Sequence, residues 1–128
     1  MKRETEEWLK IAREDFLAAE HLFEISLFRL VCYHAQQYVE KVLKALLTEK
    51  EIEFSRTHNI IDLRNAVSKI WYDLPIDIDE AVFLNSVYRA RYPAALGLLP
   101  DGEPVKEDAE RALYIIQKIR DWVKEILK

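Results

Sequence analysis

Glycine and proline are scarce in this 128-residue chain, with two of the first and four of the second. Turn-rich β folds use more of both, so the shortage argues for helices. The single cysteine, Cys32, excludes an intrachain disulfide and any cluster of cysteine metal ligands. It lies in an apolar run, where a cysteine is most simply a small buried hydrophobe. No apolar run approaches the roughly 20 residues that cross a bilayer. The first residues are charged rather than apolar, so no secretory signal is expected. A cytoplasmic protein without membrane contact is the expectation. A basic excess is missing too. The formal net charge is -4, whereas a surface that coats nucleic acid is usually basic. A local cationic patch stays open, because local field and net charge are separate matters. There is no phosphate loop, no dinucleotide-binding glycine motif and no Ser/His/Asp signature. The three histidines are scattered without a His/carboxylate spacing, so neither a metal nor a cofactor is expected.

What is present is helical language. Hydrophobic residues make up 50% of the chain and charged residues 33%, enough for one domain over 1–128 with its own core. Trp8, Ala12, Phe16, Ala19 and Phe23 recur at helical spacing and predict a first helix from about Thr5 to Ile25. Ser26 is expected as a turn or capping residue. A second helix follows, from about Leu27 to Lys50. Its apolar positions nearly encircle the axis, which places it at the centre with neighbours on several sides. Thr57 is expected to cap a short third helix carrying Ile60, Leu63, Val67 and Ile70. A fourth helix is predicted from about Ile78 to Arg91, capped by Asp77 or Asp79 and stopped by Tyr92-Pro93. Pro104 is expected in the first turn of the last helix, whose inward face is Ala109, Leu113, Ile116, Ile119, Val123 and Ile126. The fold class is therefore all-α, an up-and-down bundle of about five helices with short connections.

Two segments carry the candidate chemistry. The central helix bears a polar row, Gln36, Gln37, Glu40, Lys41 and Lys44, in which Glu40 and Lys44 form an i,i+4 pair of favourable orientation. The segment Tyr88–Pro93 reads Y-R-A-R-Y-P. Tyr88, Arg91 and Tyr92 share one helix face there, and an arginine flanked by tyrosines suits a phosphate with a base stacked nearby. The same residues would equally serve as packing, with Arg91 paired to Glu40. His58, at the start of the third helix, is placed either to help an anion at a helix N-terminus or simply to shape a turn. His21, near the end of the first helix, reads as a favourable C-terminal charge.

Taken in order, five segments resemble the HEPN-domain family, in its small stand-alone form. They are W-L-K-I-A-R-E-D-F-L-A-A-E at Trp8–Glu20, H-A-Q-Q-Y-V-E-K-V-L-K-A-L-L at His34–Leu47, R-T-H-N-I-I-D-L at Arg56–Leu63, Y-R-A-R-Y-P at Tyr88–Pro93, and the closing helix after D-G-E-P. The resemblance implies a bundle of about five helices, often a homodimer. It implies a frequent partner, a minimal nucleotidyltransferase, in toxin–antitoxin-like pairs. Other members of the family are metal-independent ribonucleases that use an arginine, four to six residues, then a histidine. Arg29 and His34 fit that spacing, and a histidine with an arginine near a scissile phosphate is chemically suited to cleaving RNA through its own 2′-hydroxyl. Five residues along a regular helix, however, turn the side chain by roughly 140°.

Three functions follow from this reading. The first is a nucleotide-interacting module acting with a nucleotidyltransferase or other partner, through Gln37, Lys41, Lys44, His58, Tyr88, Arg91 and Tyr92. The second is a metal-independent endoribonuclease toxin using Arg29 and His34, the only reading in which RNA is a partner. The third is a non-catalytic dimeric scaffold.

Overall fold

The computed structural model describes residues 1–54, 56, 59–88 and 103–127, with the backbone alone at Tyr88. Among the described residues there are five helices and no strand: α1 (Arg3–Glu24), α2 (Phe28–Glu49), α3 (Ile60–Ser68), α4 (Ile78–Tyr88) and α5 (Lys106–Ile126). This is the all-α bundle expected from the periodicity. α2 packs against each of the other four helices. Fourteen of its 22 residues are buried, against five of 21 in α5, so α2 is the axis on which the bundle is assembled.

α1 and α2 end in the same way. Ser26 and Glu51 each adopt positive φ, 60° and 57°, and reverse the chain without glycine. The Ser26 and Leu27 N–H groups reach back to the Phe23 and Leu22 carbonyls, and those of Glu51 and Ile52 to Thr48 and Leu47. These are the paired bonds of a Schellman stop. A left-handed residue other than glycine costs about 1 kcal/mol, offset here by four otherwise orphaned carbonyls. Ser26 is thus a turn residue, not a cap; Leu27 precedes α2 and makes no side-chain cap bond. The tight reversal lays α1 antiparallel on α2. Glu49 near the end of α2 accepts the Lys2 backbone N–H at 3.0 Å and the Thr5 hydroxyl at 2.9 Å. Lys2 Nζ reaches Glu51 at 2.9 Å.

Two capping expectations are corrected. α3 is capped by Asn59, whose side chain accepts the Ile61 N–H at 3.0 Å; Thr57 lies outside the described residues. The last helix begins after Pro104, not around it: Val105 is its N-cap, and the Asp108 carboxylate accepts the Val105 N–H at 2.9 Å. Pro104 is buried beneath that start. At α4 the expected cap is present: Asp77 accepts the Glu80 N–H at 2.8 Å while Glu80 accepts the Asp77 N–H at 3.0 Å, a reciprocal box. The end expected for that helix, Arg91, lies outside the described residues.

The core is continuous from Ala12, Phe16 and Ala19 of α1 through Val31, Val39, Leu43 and Leu46 of α2 to Ile115, Ile116 and Ile119 of α5. Cys32 is fully buried within it, and that burial pushes its thiol up to about 12. No described helix is long and apolar enough to cross a membrane.

Candidate functional site

The polar chemistry gathers along the seam between α1 and α2. Its centre is Asp15, a carboxylate only 8% exposed. One oxygen meets His34 Nδ1 at 2.8 Å, and the other meets Lys41 Nζ. The helix geometry explains the grouping. His34 and Lys41 are seven residues apart, two turns along one face of α2, and the antiparallel α1 brings Asp15 between them. Tyr38 sits between the two on that face. It packs edge-on against Phe16, the neighbour of Asp15, with ring centroids 5.2 Å apart. Burial pushes the Tyr38 phenol upward, so it stays neutral. The Tyr33 ring lies edge-to-face against the imidazole at 5.0 Å. The His34 and Lys41 side chains keep 27% and 19% of their surface. The carboxylate is thus inside, and its two basic partners reach the surface.

A second polar group lies one turn further along. Lys44 Nζ is 3.4 Å from Glu40, and both side chains are almost fully buried. The ammonium is flanked by the rings of Trp8 and Phe54, at 5.7 and 5.9 Å from their centroids. Aromatic faces attract a cation, and with the carboxylate they compensate its desolvation. Gln37 donates to Gln36 at 2.7 Å, both side chains being buried. The polar row is therefore balanced in charge: Lys44 has the Glu40 partner that its spacing predicts, and Lys41 has Asp15 of α1.

Of the residues singled out in the sequence, the structure brings His34 and Lys41 together. Gln37 and Lys44 lie on the same helix beside them, the Gln37 amide nitrogen bonded to Gln36 and the Lys44 ammonium to Glu40. Arg29 is not part of this group. α2 is a regular helix across Arg29 and His34, so the two project about 140° apart, and the cation that shares the carboxylate of His34 is Lys41. His58, Arg91 and Tyr92 lie outside the described residues, as does the side chain of Tyr88. His21 approaches Glu24 at 3.9 Å, and both are well exposed.

Asp15 was not picked out by sequence reasoning. Its signal was an acid set inside an apolar stripe, three residues after Ala12 and four before Ala19. The alternative stripe through Phe16 hid it. A groove of about 450 Å³ between α1 and α5 was not legible either, since its lining comes from distant segments. Leu9, Phe16 and Leu17 line one wall, Tyr38 and Val42 the floor, and Arg120 and Val123 the other wall.

A family model described as the HEPN domain matches residues 5–126. Among solved structures the chain is similar to TT1696 from Thermus thermophilus, at 25% identity and a TM-score of 0.77, over 97% of this chain and 98% of that one. It is also similar to ST0689, an archaeal HEPN homologue, at 26% identity and a TM-score of 0.69, over 100% of both chains. The comparison with curated proteins gave no match.

Proposed function

The chain belongs to the HEPN-domain family, and from that premise we propose that it is a nucleotide-interacting helical module acting, as a homodimer, with a nucleotidyltransferase or another partner protein. The observation that carries this reading is the Asp15 carboxylate holding His34 and Lys41 side by side at a partly exposed seam. With Nδ1 engaged, Nε2 is the ring nitrogen available to a ligand, and Lys41 keeps further N–H donors. Two such groups suit adjacent oxygens of a phosphate. Arg91, Tyr88, Tyr92 and His58 are the proposed remaining contacts. Gln37 and Lys44 act as supports, since their own bonds lie within the fold.

Titration with a nucleoside triphosphate, followed by calorimetry alone and with a purified nucleotidyltransferase partner, tests this reading. Lys41→Ala and Arg91→Ala are each expected to weaken binding by on the order of 1.5–3 kcal/mol, the cost of a charge-assisted contact. A wild-type protein that takes up no nucleotide under either condition would overturn it.

One observation favours a second reading. A carboxylate on Nδ1 orients an imidazole and favours the tautomer in which Nε2 is free to exchange a proton. That is the arrangement a metal-independent ribonuclease asks of His34, with Lys41 in place of Arg29 as the nearby cation. Chelator-resistant RNA cleavage by the wild type, lost in a folded His34→Ala variant and kept in Arg29→Ala, would establish this reading over the first.

A further inference from the structure

The groove between α1 and α5 has a hydroxyl on its floor that the fold does not use. Tyr38 rises there from α2 and is only 6% exposed. Its ring is fixed, packed edge-on against Phe16 with centroids 5.2 Å apart. Among the described residues its hydroxyl makes no hydrogen bond. Nor is the oxygen sealed in, since no fully enclosed side-chain oxygen or nitrogen among them lacks a partner. The hydroxyl therefore opens into the groove that the side chain lines. A buried phenol usually has a partner for its O–H, and the groove is where one can reach it.

Arg120 stands at the same ring. Its guanidinium lies over Phe16, 4.9 Å from the centroid, and its Nε donates to Asp121 at 3.1 Å. A guanidinium carries five N–H donors in a fixed fork, so others remain for the groove. Burial pushes the Tyr38 phenol up, while Arg120 pulls it the other way, so the field of this cation reaches the hydroxyl. Arg13 and Lys124 add two more cations to the lining, and Glu20 is its one acid. With Asp121 set against Arg120, three cations face two acids, an excess of one positive charge. The rest of the lining is apolar, with Leu9, Val42 and Val123 beyond the phenol.

We propose that this groove binds a small organic anion with an apolar body, a medium-chain carboxylate. The carboxylate head accepts the Tyr38 O–H and N–H groups of Arg120 beside Phe16. The chain lies along Leu9, Val42 and Val123. A single excess positive charge suits a singly charged head. The groove holds about 450 Å³, within the range of small-molecule sites, and such sites join apolar walls to a few convergent polar groups in this way. From Leu9 to Glu20 the α1 wall is about 16 Å long, enough for an extended chain of that class. No lining residue belongs to the Asp15–His34–Lys41 cluster, so the site is separate from the one proposed for a nucleotide.

An NMR titration with decanoate tests this, beside decanol and decyltrimethylammonium as probes of equal chain length. Decanoate is expected to shift the methyl signals of Leu9, Val42 and Val123 saturably. It is expected to bind at least ~10-fold more tightly than either of the other two, the weight of hydrogen bonds to a charged group. Tyr38→Phe keeps the ring on Phe16 and removes only the hydroxyl, and Arg120→Gln removes the charge. Each is expected to raise the decanoate Kd ~10-fold and to leave decanol within a few-fold, with circular dichroism confirming the fold. Lys10→Ala, which removes an exposed cation outside the lining, is expected to change neither. Decanol bound as tightly as decanoate would overturn the proposal. So would a folded Tyr38→Phe that binds decanoate as the wild type does, or a wild type whose groove methyls do not move.

Discussion

α1 and α5 are near-equal helices that dock on the same axis by different means. The buried residues of α5 are Ala109, Ala112, Ile115, Ile116 and Ile119, all apolar. Those of α1 are Thr5, Ala12, Asp15, Phe16 and Ala19, two of them polar. Apolar burial is non-directional and scales with area. It holds α5 firmly on α2, and the directional bonds of α5 go elsewhere, from Lys118 to Glu80 at 2.7 Å and from Trp122 Nε1 to Asp73 at 3.1 Å. α1 is pinned at two points: Thr5 and the Lys2 N–H on Glu49, and Asp15 on His34 and Lys41. Those bonds fail if the helix slides. Buried ionic groups often cost stability compared with apolar replacements, so the seam trades some strength for placement, and what it places is the candidate site.

The contrast can be broken most severely on the dry side. Ile116 has no accessible surface, and Ile116→Asp would bury an unpaired carboxylate against apolar neighbours. A loss of about 4 kcal/mol or more is expected, read as collapse of the urea midpoint. A midpoint near wild type would mean that α5 is not held by this burial.

A smaller effect is expected at the seam. Asp15→Ala strands the Lys41 ammonium and the His34 ring beside a half-closed cavity, at a cost of about 2 kcal/mol. Adding Lys41→Met removes the stranded charge and is expected to recover part of the loss, so that the double-variant cycle is clearly non-additive. Additive losses would show that the two side chains are not coupled through the carboxylate.

The smallest effect concerns the first turn of α1. The Glu49 carboxyl is held below its ordinary value of 4.5, first by the Lys2 backbone N–H and then by the Thr5 hydroxyl. Glu51 is held low by the Lys2 side chain. In both cases the unfolded state binds protons more readily, so the contribution is complete above the ordinary carboxylate range. It is lost as pH falls through the depressed values. Lys2 is raised above 10.5 by Glu51, so its part persists to 10.5 and is lost at higher pH. Acid titration followed by NMR is expected to show the amides of residues 2–6 fraying before those of α5. Simultaneous loss would mean that the tether contributes nothing local.

Periodicity made most of this fold legible. α1, α2 and the start of α4 fall within one or two residues of where the apolar spacing put them, because a helix buried over several turns repeats its signal. Single-residue decisions were harder to read. Asn59 caps α3 because its side chain also meets Asn85 of α4 at 3.0 Å, a tertiary partner that local preference cannot reveal. The central position of α2 was evident from its composition, but its lysines looked available to a ligand. Their carboxylates come from Asp15 of α1 in one case and from the buried Glu40 of the same helix in the other. Asp15 reads in isolation as an ordinary surface acid, and only the antiparallel packing of α1 makes it the hub of the site.

The link between Asn59 and Asn85 has a kinetic consequence. α3 spans nine residues, too few to persist alone in water. Its first amide, Ile60 N–H, is bonded to Asn85 of α4 at 3.1 Å, and Arg64 Nε holds the Ile76 carbonyl just before α4 at 2.6 Å. When α4 detaches, α3 loses the Asn85 bond to its first amide and the anchor at Ile76 together, and keeps only its local Asn59 cap. The two helices therefore open as one cooperative unit, distinct from the α1–α2 hairpin. In a hydrogen-exchange experiment the amide of Ile60 reports not its own helix but the departure of a residue 25 positions away.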